Sequence, residues 1–366
     1  MSVFKVGNVM DGCGIIDGDN TEFLTRWNER GRKLCVPMTG GIALTHRCNL
    51  KCIHCYAGPE VVPSERDVPT TRWLELIDEM VDAGCLFLLI TGGDPLVHSG
   101  FKQIYRHAKE SGMLVTVFTN GLLIDQEILD IFTELPPHVV EISIYGARAE
   151  MHDGITGVPG SFVRLLKVVD QLLARGIRLR LKSILMNPNL AEFAEIRVLV
   201  EEKYGVEFRM DAAIIPRLDG DMMPLELRVA PKDAVQQEMA SPKQRKKWAE
   251  VQAQCKLLEP SPRLYNCGAG VIGFHIDANG DLLPCLMTTN IKYNLLERAF
   301  ADGWKYITKA MREILVDKSV ECASCENRVI CGWCPSYALL ENGDANSKPQ
   351  YLCDLGKYRR EMLVKI

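Results

Sequence analysis

The chain has 366 residues, 47% of them hydrophobic, enough for one large core and a smaller module without covalent staples. A formal net charge of -4 provides no basic field, which argues against nucleic acid as the main partner and against a charge-driven role at a membrane. The longest purely apolar stretch, 85–90, is far short of the roughly 20 residues that cross a bilayer.

The first 14 residues lack a charged segment leading into an apolar run, so a cytoplasmic protein is expected. Disulfides are rare in that compartment, and the 14 cysteines need another use. Their distribution points to metal: Cys48, Cys52 and Cys55 form one group, and Cys322, Cys325, Cys331, Cys334 and Cys353 another. Cys13, Cys35 and Cys85 stand apart and read as structural thiols.

In chain order, residues 1–37 carry little pattern and form an N-terminal extension. From 41 to 215, short β-like runs alternate with amphipathic helical segments, the pattern of parallel βαβ units. The strands fall at 42–45, 86–91, 114–119, 139–145, 177–185 and 206–215. Between them Trp73, Leu76, Ile77, Met80 and Val81 share one helix face, and Phe162, Leu165, Leu166, Val169 and Leu173 share another. Gly84, Gly112, Gly176 and Gly205 stand where a helix ends and a strand begins. Six such units make an incomplete barrel over 38–230. Pro216, Gly220, Pro224 and Pro231 then break the alternation, and 231–254 forms a polar helical bridge. Within the last segment, 255–366, residues 271–277 and 281–285 flank Ala278, Asn279 and Gly280 as a hairpin, and a cysteine-dense tail of helices and loops follows. The expected fold class is therefore α/β: a partial (β/α)6 barrel of TIM-like type followed by a small cysteine-rich domain.

Cys48, Cys52 and Cys55 have the spacing Cys-x3-Cys-x2-Cys and directly follow the first strand. In barrels of parallel strands the functional face lies at the strands' C-terminal ends, where such a loop presents ligands. Three thiolates are one fewer than a four-iron cubane usually takes from protein, which leaves one iron open. A three-ligand zinc site is the alternative, although zinc more often shows paired Cys-x2-Cys units or histidines. His46 and His54 read as polar residues of the same loop.

With this motif the chain resembles radical S-adenosylmethionine (SAM) enzymes, in which the methionine amine and carboxylate chelate the open iron. The second strand ends in Gly92, Gly93, Asp94 and Pro95, similar to the family's Gly-Gly-Glu-Pro turn, with Asp94 in place of the commoner glutamate. The resemblance implies that this turn contacts the methionine amine, and the shorter side chain shifts that duty toward backbone. Asn120 follows the third strand, and Ser143 to Gly146 end the fourth in a stretch similar to the family's Ser-x-x-Gly. Both are implied cofactor contacts, Ser143 to the ribose or carboxylate. Lys182 alternates with Arg178 and Arg180, a pattern that fits either a polar lumen, where Lys182 would reach the cofactor, or an exposed edge strand.

The C-terminal cysteines are similar to those of the SPASM domain, which binds two auxiliary 4Fe-4S clusters. The resemblance implies that Cys322, Cys325, Cys331 and Cys353 ligate the distal cluster, and that Cys267, Cys285 and Cys334 serve the proximal one. The nearest further thiol is Cys255, twelve positions before Cys267, which is either the eighth ligand or a core thiol. Two residues separate Cys331 from Cys334 where three are commoner. A pair of zinc ribbons is the alternative for this region.

The implied cofactors are SAM and three 4Fe-4S clusters, one binding SAM and two auxiliary. The implied reaction is reductive cleavage of SAM to a 5'-deoxyadenosyl radical, which abstracts a hydrogen from a peptide or protein that is then crosslinked through a thioether or carbon-carbon bond, or oxidised. Small-molecule dehydrogenation or epimerisation is the second reading, and a non-catalytic iron-sulfur or zinc protein the third. The expected partners are the peptide or protein substrate and an electron donor such as flavodoxin or ferredoxin. Since 47 residues precede Cys48, a separate peptide-recognition protein is expected as well.

Overall fold

The computed structural model describes residues 21–58, 67–255, 262–317 and 319–364. Six parallel strands pair in chain order: β1 (Thr39–Ala43), β2 (Phe87–Thr91), β3 (Leu114–Thr119), β4 (Val139–Ser143), β5 (Leu179–Ile184) and β6 (Glu207–Asp211). Helix α1 (Thr21–Leu34) precedes them. The crossovers are α2 (Thr70–Asp82), α3 (Phe101–Glu110), α4 (Gln126–Glu134), α5 (Ala149–Thr156) with α6 (Ser161–Ala174), and α7 (Phe193–Val198). This is the expected incomplete barrel. Its last strand is shorter than expected because β6 pairs only with β5, and the pairing ends at Ile184 opposite Asp211.

One face of the sheet packs on the helices. Ile42, Leu88, Ile90, Val115, Val117, Val140, Ile142 and Leu181 share a buried core with Trp73, Leu76, Ile77 and Met80 of α2. On α6 the buried stripe is Phe162, Leu165, Val168, Val169 and Leu172, slightly rotated from the expected one, so that Leu166 and Leu173 lie at its margin. Register places Phe118, Glu141, Arg180 and Glu207 side by side on the opposite face, with Ser143, Lys182 and Arg209 in the next row. Because β5 lies between β4 and β6, Lys182 stands on an interior strand and the edge-strand alternative does not apply. The buried Glu141 is offset by Arg209 at 3.1 Å and Arg180 at 3.6 Å, and Arg180 also meets Glu207 at 2.9 Å.

Beyond β6 come α8 (Pro231–Met239) and α9 (Pro242–Cys255), then the expected hairpin, β7 (Gly273–Ile276) and β8 (Asp281–Leu283), with a short β9 (Tyr293–Asn294). β7 runs parallel to β1, so a single nine-stranded sheet continues from the barrel into the C-terminal region. Two glycines on β1 make room for this. A Cβ on Gly40 would lie 2.3 Å from the Phe274 ring, and one on Gly41 would lie 2.8 Å from His275 Nδ1. Phe274 in turn packs on Phe300 and Trp304 of α10 (Phe300–Glu313), and the Trp304 indole donates to the Cys35 carbonyl just after α1.

The tail is completed by α11 (Glu321–Ser324), α12 (Arg328–Cys331), α13 (Pro335–Asn342) and α14 (Gln350–Val364). Arg359 of α14 makes a buried two-pronged pair with Glu238 of α8 at 2.6 and 2.7 Å, and donates to the Ile330 carbonyl of α12. Among the described residues no helix is long and apolar enough to cross a membrane.

Candidate functional site

The loop carrying Cys48, Cys52 and Cys55 is fastened by backbone. Gly93 N–H donates to the Thr45 carbonyl at 2.7 Å and Asp94 N–H to the Arg47 carbonyl at 2.9 Å, tying the loop to the end of β2. Lys51 and Ile53 N–H groups donate to the Thr156 and Ile155 carbonyls at the end of α5, and Leu218 N–H donates to the Tyr56 carbonyl. The two glycines after β2 permit this approach. A Cβ on Gly92 would lie 2.6 Å from the Thr45 carbonyl oxygen, and one on Gly93 would lie 2.3 Å from that of Arg47.

Around this loop the strand ends bring most of the expected residues to one rim. Asp94 is completely buried, and its carboxylate accepts from Leu96 N–H at 3.0 Å, Thr119 Oγ1 at 2.7 Å and Asn120 N–H at 2.7 Å. Burial raises its pKa while these donors oppose the rise. Pro95 is buried at the start of the short turn that follows. The Asn120 amide reaches the loop itself, donating to Asn49 Oδ1 at 2.7 Å and approaching Cys48 Sγ at 3.7 Å. Ser143 ends β4 and hydrogen-bonds the Tyr145 phenol. Lys182, opposite Ser143 in register, makes no hydrogen bond or ion pair among the described residues. Its charge reaches His54, whose pKa is lowered to about 4, first by burial and then by Lys182.

The three thiols are themselves neighbours. Burial pushes Cys48 up to about 11, with the charge of Cys55 adding to the rise, and Cys52 is raised by burial and then by Cys55 and Cys48. The C-terminal cysteines fall into two sets of the same kind. Cys334 is pushed up to about 12 by burial and then by Cys267 and Cys285. Cys331 is pushed up to about 12 by burial and then by Cys325, Cys322 and Cys353. The second set depends on Gly356 of α14, where a Cβ would lie 2.5 Å from Cys331 Cβ, so that α12 can lie against the helix bearing Cys353. Cys255 ends α9, but its side chain lies outside the described residues, as does Cys13.

Among the described residues, no three of these side chains close to the spacing of ligands around a single metal ion. The donor sets nevertheless suit iron-sulfur clusters: each gathers soft sulfur ligands whose ionised forms repel one another in a buried setting until a cation compensates them. Sequence reasoning gave no role to Tyr145, whose phenol lies in the field of Cys52, Cys55 and Cys48 and whose ring meets His54 at 4.6 Å. Its spacing of two from Ser143 was the available signal. Thr119, whose hydroxyl donates to Asp94, was likewise given no role of its own.

Residues 42–199 match the model of the Radical SAM superfamily. The Fe-coproporphyrin III synthase of Methanosarcina barkeri is 32% identical over 160 residues, 44% of this chain and 40% of that protein, so this match spans well under half of the relative's length. An AdoMet-dependent heme synthase of the same organism is 24% identical over 332 residues, covering 84% of this chain and 94% of the relative. The PqqA peptide cyclase of Ruegeria pomeroyi is 25% identical over 337 residues, covering 82% and 83%. Streptococcus suis SuiB bound to S-adenosylmethionine shares the fold, with a TM-score of 0.70 at 19% identity over 93% of this chain and 84% of that one. Residues 42–199, a little under half of the chain, therefore carry a Radical SAM domain.

Proposed function

We propose that the chain binds SAM at a 4Fe-4S cluster held by Cys48, Cys52 and Cys55, and that it modifies a peptide or protein substrate. The observation that carries this reading is the single rim on which the ends of β1 to β5 gather those thiols with Gly92, Gly93, Asn120, Ser143 and Lys182. When bound, cluster and SAM supply a 5'-deoxyadenosyl radical able to remove hydrogen from an unactivated carbon. The chain's own residues hold and orient. The Asp94 carboxylate is occupied by three internal donors, so the backbone of the Gly92-Gly93 turn is left to receive the methionine amine. Lys182 offers an uncommitted cation for a carboxylate, and Ser143 beside it a hydroxyl for the cofactor.

In this reading 38–230 is the SAM-binding barrel, 231–254 a bridge and 255–366 an auxiliary-cluster domain. Cys322, Cys325, Cys331 and Cys353 hold its distal cluster, and Cys267, Cys285 and Cys334 its proximal one. A peptide substrate is supported by the similarity to a peptide cyclase along four fifths of both chains. The heme synthase, matched over 94% of its length, favours a second reading in which the chain acts on a small molecule in the making of heme. An electron donor of flavodoxin or ferredoxin type and a separate peptide-recognition protein complete the proposal.

Anaerobic reconstitution should yield about twelve irons per chain, and the reduced protein should convert SAM to 5'-deoxyadenosine. Replacing Cys48, Cys52 and Cys55 together by Ala should abolish that conversion and leave about eight irons. Iron near four with stoichiometric zinc would restore the zinc-ribbon alternative, and cleavage surviving the triple replacement would remove the active site from this loop. Supplying candidate precursor peptides and assaying heme formation in parallel separates the two readings, since only the true reaction proceeds in step with 5'-deoxyadenosine.

A further inference from the structure

Around Cys267, Cys285 and Cys334, the thiols proposed to hold the proximal cluster, the structure places two features that the proposed reaction does not use. The first comes from outside the cysteine-rich region. Arg32, in the last turn of α1, directs Nη1 to the Cys267 carbonyl at 3.3 Å. Its guanidinium thereby sets a positive charge beside Cys267.

The second is a buried line of hydroxyls. Thr288 Oγ1 lies 3.0 Å from Cys285 Sγ and 2.6 Å from Ser336 Oγ. Thr288 is 0% exposed and Ser336 1%, so water does not compete for these groups. A ligating thiolate carries no proton, which fixes the direction of the line. Thr288 donates to Cys285 and Ser336 to Thr288, each bond polarising the next.

Given the proximal cluster site on these three thiols, on which this step depends, we propose that Arg32 and the Ser336-Thr288 pair raise the cluster's reduction potential, so that the site is poised to take up an electron. Reduction adds negative charge to a cluster. A fixed cation and a donor to a ligand sulfur stabilise the more negative state, and net charge and hydrogen bonds to sulfur are among the chief determinants of cluster potential. Arg32 and Thr288 act through ligand residues and are positioning residues, so the test reads potentials, not turnover.

The chain with Cys48, Cys52 and Cys55 replaced by Ala is reconstituted with iron and sulfide, and its two auxiliary clusters are titrated electrochemically under electron paramagnetic resonance. Arg32→Gln should lower one midpoint by about tenfold in the reduction equilibrium constant, 59 mV for one electron, while Arg32→Lys keeps most of the wild-type value. Thr288→Val should lower the same midpoint by a smaller factor, and the other midpoint should stay still. Unmoved midpoints in Arg32→Gln and Thr288→Val, or equal shifts in both clusters, would overturn the proposal. If Arg32→Gln sheds iron because α1 has lost its anchor, Thr288→Val decides alone. Failure of the parent to take up auxiliary iron would instead bring down the cluster reading beneath it.

Discussion

The loop after β1 and the cysteine-rich tail both gather thiols, but they are held by different parts of the chain. Around Cys48, Cys52 and Cys55 the grip is peptide on peptide: N–H groups of Gly93, Asp94, Lys51 and Ile53 meet carbonyls across the strand ends, and two glycines let the strands' backbones touch. In the tail the grip is largely side chain. Arg359 pairs with Glu238, and Arg228 reaches Glu341 at 2.5 Å and the Ile214 carbonyl at 2.7 Å, docking α14 and α13 on the rest of the molecule. A backbone grip admits only certain residue types at certain positions and so leaves a motif. A side-chain grip can be built in many ways and leaves only the cysteines.

The sharpest way to break this contrast is to remove a side-chain clamp. Arg359→Ala leaves Glu238 buried without its partner, which should cost about 3–5 kcal/mol. Denaturant unfolding should show that loss, iron analysis should show the distal cluster gone, and SAM cleavage should persist. Cleavage lost along with the iron would mean that the tail's clamps also support the barrel site. The complementary change is Gly93→Ala, whose Cβ meets two carbonyl oxygens of the cysteine loop within 2.6 Å. Displacing the loop by about 1 Å should cut SAM cleavage roughly 100-fold while auxiliary iron is kept.

Asp94 is the barrel's exception, a side chain inside a backbone-built site, and it sharpens the comparison. Asp94→Glu brings the turn to the family's commoner sequence, yet the extra methylene has no room at a position with 0% exposure. Overpacking should lower stability by about 1–3 kcal/mol, and a neutral or stabilising result would mean that the carboxylate is not needed where Thr119 and Asn120 hold it. A pH-dependent effect belongs to His152, whose Nδ1 accepts Tyr145 N–H at 3.1 Å and whose pKa burial lowers to about 4. The unfolded chain takes up this proton first. The contribution is therefore complete above about pH 6.5 and declines as pH falls toward 4, at up to about 1.4 kcal/mol per unit. His152→Gln should flatten that slope in urea melts at pH 4.5 to 7, and an unchanged slope would show that His152 does not carry it.

The strands, the three-thiol loop and the hairpin were legible because each has a period or a spacing that local chemistry enforces. Lys182 was half legible. The alternation with Arg178 and Arg180 gave the face, but whether that face lined a lumen depended on strand order, which no single strand encodes. Asp94 was found, but its carboxylate turned inward to clamp Thr119 and Asn120, a partnership 25 positions away. Arg32 was out of reach altogether, since its carbonyl partner lies 235 positions along the chain and a solvated helix face would show the same arginine.

The pairing of β7 with β1 also has a consequence for biosynthesis. β1 leaves the ribosome well before the partner for its second edge, which is encoded over two hundred positions downstream. Until that partner emerges the nascent barrel carries an open edge of unpaired peptide groups, the feature by which sheets recruit foreign strands. Closure is a contact of very high sequence separation, and such contacts are slow to form. A chain shortened before residue 273 would keep every residue of the proposed SAM site and still expose that edge, so aggregation, not simple loss of the proposed auxiliary clusters, is the outcome to expect of a barrel expressed alone.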